Sequence, residues 1–246
     1  KGDITMIEKK IHYCWFGGKP LPKEAKKCID SWKKYFPDFE IIEWNENNFN
    51  INYNKYTSEA YKNRKYAYVA DVARLYVIYN YGGVYFDVDV EVIKNYKDII
   101  KNEAFFGLEK EGYLNTGLGF GAIKKSQIVK QLLDDYKDRD FVTQDGKLNL
   151  IPCPEINSKI FLKNGFDLKN KIQTINNITI YPTEYFNPLE DSTGKLKKTK
   201  NTHSIHWYAK SWVPKHLIIR SKILKPIRKI LGIETYNKIK KIVKIK

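Results

Sequence analysis

Ala70-Asp71-Val72-Ala73-Arg74, followed by Tyr79-Asn80-Tyr81-Gly82-Gly83-Val84-Tyr85-Phe86-Asp87-Val88-Asp89, is the stretch on which the fold turns. Over residues 66–81, Ala67, Ala70, Ala73, Leu75, Val77 and Ile78 form a broad apolar surface at helical spacing. Gly82-Gly83 ends that helix, because glycine accepts the backbone a helix terminus needs. The β-branched and aromatic run over residues 84–93 then predicts a strand. On a strand alternate side chains share a face, so Asp87 and Asp89 point one way and Phe86, Val88 and Val90 the other. Carboxylates that close repel unless a cation or proton lies between them. Asp71 and Arg74, three residues apart, share one face of the preceding helix. Each feature alone has a plain explanation: two solvated acids on an edge strand, and a surface ion pair. A divalent cation with oxygen ligands would remove the carboxylates' conflict, and such a cation can also bridge a diphosphate.

Working outward, residues 10–16 read as a strand entering the Gly17-Gly18 turn, and residues 22–35 as a helix with Pro22 near its first turn. A second strand is expected over residues 39–44, and a polar loop over 45–54. Short strands over 104–108 and 116–122, a helix over 127–136, and extended segments at 178–181 and 204–208 complete the pattern. Residues 191–202 read as an exposed basic loop. Strands alternating with helices predict an α/β layer with a largely parallel sheet. With 246 residues and 42% hydrophobic content, the chain can bury a sizeable core and is not of the disordered class. Cys14, Cys28 and Cys153 lack metal-like spacing, which suits reduced thiols in a cytoplasm. Counting from Met6, no long apolar run follows, so neither a secretory leader nor a membrane-spanning helix is expected.

The net charge of +16 is unevenly spread. From Lys215 onward, eleven Lys and Arg residues against the single acid Glu234 give +10. Ile218, Ile219, Ile223, Leu224, Ile227, Ile230 and Leu231 recur there at helical spacing, with Pro226 starting or kinking a helix; Tyr236, Ile239, Ile242 and Val243 repeat the pattern. A basic amphipathic helix of this kind suits the surface of an anionic membrane, the alternative being a helix packed on the body with its basic face in water.

The helix–Gly-Gly–Asp-x-Asp block resembles the signature of the DXD-containing sugar-transferase family, which includes fungal outer-chain mannosyltransferases and bacterial capsular polysaccharide transferases. It is also similar to the core of the clostridial glucosylating toxins. Lys10-Ile11-His12-Tyr13-Cys14-Trp15-Phe16-Gly17-Gly18 resembles the family's first strand, and Ile205-His206-Trp207-Tyr208-Ala209-Lys210-Ser211-Trp212 its terminal motif. The resemblance implies a GT-A glycosyltransferase fold over residues 6–214, a Rossmann-like mixed sheet flanked by helices, with residues 215–246 as a basic helical extension. It implies a retaining, metal-dependent hexosyltransferase using Mn²⁺ or Mg²⁺.

Residue by residue, the resemblance makes Asp89 the principal metal ligand. Asp87 contacts ribose and helps hold the metal. Asp71 takes hydroxyls of the donor sugar, and Arg74 the sugar or a phosphate. Tyr13, Cys14, Trp15 and Phe16 line the base pocket. His206 completes the metal shell, with His203 as its rival. The resemblance also implies that Lys210, Ser211 and Trp212 close over the diphosphate. Here the sequence departs from the commonest form, which has a second His at Trp207 and a Gly at Lys210. Asn115, in Asn115-Thr116-Gly117, reaches the donor sugar, its alternative being a plain turn residue. Trp44 reads as structural, and Glu155 as a loose match to the acceptor side. The implied donor is a nucleotide sugar, UDP-hexose ahead of GDP-mannose. The implied acceptor is a saccharide or lipid-linked oligosaccharide of cell-surface glycan synthesis, or alternatively a protein or glycoprotein glycan. The implied location is cytoplasmic, peripheral at the inner face of the membrane. No further carboxylate stands out as a nucleophile, which leaves a front-face route.

Two other classes fit less well. A nucleic-acid-binding protein would spread its bases over one reading surface, whereas these concentrate in an amphipathic tail, so no nucleic-acid partner is expected. A glycoside hydrolase needs two carboxylates flanking a bond, and Asp87 and Asp89 on one strand face do not flank anything.

Overall fold

The computed structural model describes residues 6–209, 213 and 215–242. The chain opens with β1 (Lys10–Cys14), α1 (Lys23–Tyr35) and β2 (Glu40–Trp44), a β-α-β unit whose strands pair in parallel from Lys10↔Glu40 to Cys14↔Trp44. Two helices follow, α2 (Lys55–Lys62) and α3 (Tyr66–Tyr81). The start of α2 is set by a capping box in which Asn54 and Thr57 hydrogen-bond reciprocally. Helix α3 is buried nearly all round, from Tyr68 to Ile78, which is how a helix that is apolar on every face must sit. Gly82 and Gly83 both take positive φ, and a Cβ on Gly83 would lie 2.6 Å from the Lys10 carbonyl oxygen. Only glycine lets β3 (Gly83–Tyr85) lie parallel against β1 at that point.

The predicted strand over residues 84–93 is two strands with a turn between them. β3 stops at Tyr85, and β4 (Val90–Val92) belongs to another sheet. Between them the Asp87 N–H donates to the Gly117 carbonyl (3.2 Å), and the Val90 N–H to that of Asp87 (3.0 Å). Asp87 and Asp89 therefore converge through a turn, not through strand alternation. Local β propensity yields here to tertiary pairing.

The middle of the chain supplies β5 (Ala104–Lys110), β6 (Tyr113–Leu114), β7 (Phe120–Ala122), α4 (Gln127–Asp134) and α5 (Cys153–Lys163). After these come β8 (Gln173–Ile175), β9 (Ile178–Tyr181), the short α6 (Thr183–Phe186), a hairpin of β10 (Leu189–Glu190) and β11 (Lys195–Leu196), and β12 (Ser204–His206). The hairpin occupies part of what was read as a loop. Among the described residues the main sheet has eight strands, in the order β2-β1-β3-β7-β5-β9-β8 with β6 on β5. The α/β class holds, with helices covering both faces. The sheet is mixed and not largely parallel: β3–β7, β5–β7, β5–β6 and β8–β9 are antiparallel. One apolar cluster lies on the α3–α4–α5 side, around Leu75, Phe106, Phe120 and Phe161. The other lies under α1, around Trp32, Phe36, Phe86 and Tyr96. The Trp32 indole donates to the Val90 carbonyl (2.8 Å), holding β4 beneath α1.

Two helices end the described chain, α7 (Lys215–Leu231), with Pro226 inside it, and α8 (Ile233–Ile242). An ion pair from Lys225 to Asp191 (3.2 Å) joins α7 to the β10–β11 loop. No described helix is long and apolar enough to cross a membrane.

Candidate functional site

The site begins with Arg74, whose side chain is only 4% exposed. Its Nη2 lies 3.2 Å from Asp71 and 3.1 Å from Asp87. Its Nη1 donates to the Thr116 hydroxyl (3.3 Å) and the Cys153 thiol (3.7 Å), and the guanidinium sits over the Tyr85 ring. The Tyr85 hydroxyl donates in turn to Asp87 (2.9 Å). The i,i+3 pair is thus present, but buried and extended to a second carboxylate, which a surface pair would not be. A buried guanidinium is tolerable only when ringed by acceptors in this way.

Asp89 is held from the opposite side by the chain that follows β12. The Trp207 N–H donates to the Asp89 carbonyl (2.9 Å), and the Ala209 N–H to its carboxylate (2.7 Å). His206 Nε2 lies 3.3 Å from the same carboxylate. Antiparallel pairing of β12 with β4, register His206↔Val90, brings these distant segments together. Asp87, Asp89 and His206 each offer a ligand atom, and these atoms lie within 4.8 Å of one another. His203, the rival, is elsewhere: its Nδ1 is 2.6 Å from the Asn95 carbonyl and its ring stacks on Tyr185.

The electrostatics separate the acids. Burial pushes the Asp71 carboxyl up to about 6, against the pull of Arg74. Burial also raises Asp87, again opposed by Arg74, with the Asp89 charge adding to the rise. At Asp89 burial acts in the same direction, but the His206 charge and hydrogen bond and the Ala209 amide outweigh it, so this carboxyl lies below its usual range. His206 is raised, because Asp89 outweighs the cost of burying its charge. A divalent cation fits this donor set. Two carboxylates and an imidazole converge, and His206 Nδ1 is buried without a hydrogen-bond partner.

Asn115 is buried at the same place. Its carbonyl oxygen accepts from the Gly117 N–H (2.7 Å) and its amide donates to Glu109 (2.8 Å). A Cβ on Gly117 would stand 2.3 Å from Asp87 Oδ2, so this turn admits only glycine beside the acid. Glu109, half-buried near the end of β5, is a carboxylate that the sequence reading did not single out. Its negative charge also acts on His206 and on the Tyr208 hydroxyl. Cys153, at the start of α5, bridges Asn115 (3.6 Å) and Arg74. Spacing gave no signal for Glu109 or Cys153, because only the sheet and α5 carry them inward.

Other expected residues are placed less directly. Tyr13, Cys14 and Phe16 are buried in the cores, and of the first-strand set only Trp15 is half-exposed, its indole donating to the Lys19 carbonyl (2.5 Å). Tyr13 is tied down by Glu43 (2.7 Å). Trp44 is structural, its indole donating to His12 (3.0 Å). Glu155 is exposed on the first turn of α5, on the wall of a shallow cavity with Asn149 and Ile151. Lys210, Ser211 and Trp212 lie outside the described residues.

Residues 22–106 match the family described as the glycosyltransferase sugar-binding region containing the DXD motif. That span contains Asp71, Arg74, Asp87 and Asp89. An inositol phosphoceramide mannosyltransferase of Schizosaccharomyces pombe is 27% identical over 145 residues, covering 54% of this chain and 43% of its own length, so the chain spans less than half of that relative. An uncharacterized glycosyltransferase of Acanthamoeba polyphaga mimivirus is 25% identical over 226 residues, 85% of each chain. The solved PaToxG glycosyltransferase superposes with a TM-score of 0.51 at 20% identity, over 65% of this chain and 70% of that one. The fold is therefore a GT-A-like α/β fold, and residues 22–106 are similar to that family's sugar-binding region.

Proposed function

We propose that this chain, whose residues 22–106 match a glycosyltransferase sugar-binding region, moves a hexose from a nucleotide-sugar donor to a glycan acceptor with the help of a divalent cation. One observation carries the reading: Asp87, Asp89 and His206 converge directly beside the buried Asp71–Arg74 pair. Asp89 and His206, with Asp87, would hold Mn²⁺ or Mg²⁺. A cation bound there would neutralise charge developing on the departing nucleoside diphosphate. Asp71 accepts hydroxyls of the donor sugar. Arg74, fixed by three oxygen partners and the Tyr85 face, orients Asp71 and Asp87 and offers its remaining capacity to the donor. Asn115 faces the sugar, backed by Glu109. Trp15 flanks the base.

Transfer proceeds with retention by a front-face route, in which the donor phosphate helps remove the acceptor proton. Trapping a covalent sugar adduct, on Glu109 above all, would replace that route. UDP-hexose is the favoured donor; the similarity to a fungal inositol phosphoceramide mannosyltransferase supports GDP-mannose as the rival. The acceptor is a saccharide or lipid-linked oligosaccharide at the inner face of the membrane. Residues 6–214 form the catalytic unit and residues 215–246 its extension. The deciding experiment incubates the protein with a panel of UDP- and GDP-hexoses plus Mn²⁺ or Mg²⁺ and measures free nucleotide. Release from one donor, abolished by chelation, is expected; no release and no binding from any of them overturns the reading.

A further inference from the structure

Helix α7 presents an apolar face to solvent. Ile219, Ile223, Ile227 and Ile230 are 58%, 64%, 43% and 83% exposed. At 3.6 residues per turn they fall within about a quarter of the helix circumference. Lys222 and Lys229, both exposed, border one edge of the stripe, and Arg220 borders the other. The half-buried positions lie opposite: Ser221, Leu224, Lys225 and Arg228. Lys225 reaches Asp191 on the body, and Arg228 lies over the Tyr236 ring of α8. The helix is thus held by its far side, with its isoleucines turned outward.

We infer that this isoleucine stripe and its flanking lysines dock α7 flat on an anionic lipid surface. A row of isoleucines left in water is unfavourable unless something covers it. An anionic bilayer matches both halves of the face, since the isoleucines enter the acyl boundary while lysine stems reach back to the headgroups. A second copy of the chain matches worse, because it would bring together two segments of charge +10. A nucleic acid would use the lysines and leave the isoleucines in water. This inference stands apart from the proposed transfer reaction, since lipid binding needs neither donor nor cation.

The test is flotation of the whole chain with vesicles of phosphatidylcholine alone or with about one third phosphatidylglycerol, where each lysine is worth about fivefold in partitioning. Binding to the anionic vesicles and little to the neutral ones is expected. Ile223→Ser with Ile227→Ser should weaken binding at least about tenfold at unchanged charge. Lys222→Gln with Lys229→Gln should weaken it about 25-fold. Circular dichroism and nucleotide release in solution should match the parent, which separates lost docking from misfolding or from failure of the enzymatic reading. Three results overturn the inference: vesicle binding indifferent to the isoleucine pair, tighter binding to duplex DNA than to anionic vesicles, or a dimer in gel filtration that Ile223→Ser dissolves.

Discussion

Arg74 and Lys225 each meet an aspartate at nearly the same distance, 3.1 Å to Asp87 and 3.2 Å to Asp191. The first side chain is 4% exposed and the second 26%. Around Arg74, three carboxylates, an imidazole and a tyrosine face are interlocked, and each group's protonation depends on its neighbours. Around Lys225 an ion pair fastens a helix whose Lys222 and Lys229 face water. The same ion-pair chemistry does different work: buried, it builds a site that cannot lose a member; half-exposed, it merely locates a helix.

The largest effect is expected at Asp89. Asp89→Ala should cut donor cleavage about a thousandfold while circular dichroism stays unchanged, measured as nucleotide release at saturating metal. Next comes Arg74→Met, which leaves buried acids facing one another. It should cost about 3–5 kcal/mol in chemical denaturation and most of the activity. A variant that unfolds at the parent's denaturant concentration would erase the contrast between the two regions. Gly117→Ala, whose methyl would press on Asp87, should lower cation affinity about tenfold by metal titration.

The pH dependence follows from Asp71, raised to about 6 by burial. Between its ordinary value of 3.8 and about 6, the folded state binds more protons than the unfolded. Its contribution to stability therefore falls as pH rises through that window. Activity, which needs the ionised acid, should rise through the same window, and Asp71→Asn should remove that limb from the kcat/KM profile. The smallest effect is Lys225→Ala, below about 1 kcal/mol in thermal unfolding, because the pair is half-exposed.

Helix α3 was legible in full, because sixteen residues of apolar pattern end on two glycines. Asp71, Arg74, Asp87 and Asp89 were legible as a set, since they fall in one block. The turn at Val88-Asp89 was not, because its residues have strand propensity and only the pairing of β4 with β12 breaks the strand. The antiparallel half of the sheet was hidden for a related reason. From Ala104 to Leu108, β5 is buried on both faces, so it has no alternation to reveal its partners. Helix α5 begins at Pro152-Cys153-Pro154, which reads as a loop until its proline is seen in the first turn. Glu109 and Cys153 reach the site only through those unread elements.

The hold on Asp89 from residues 207 and 209 is made by main-chain amides. Every amino acid but proline brings the same N–H, so the clasp is indifferent to spelling and sensitive to length. A lineage could rewrite Trp207 and Ala209 freely and keep the clasp, yet lose it by inserting one residue after His206. What the clasp requires at this corner of the molecule is a spacing, not a set of letters.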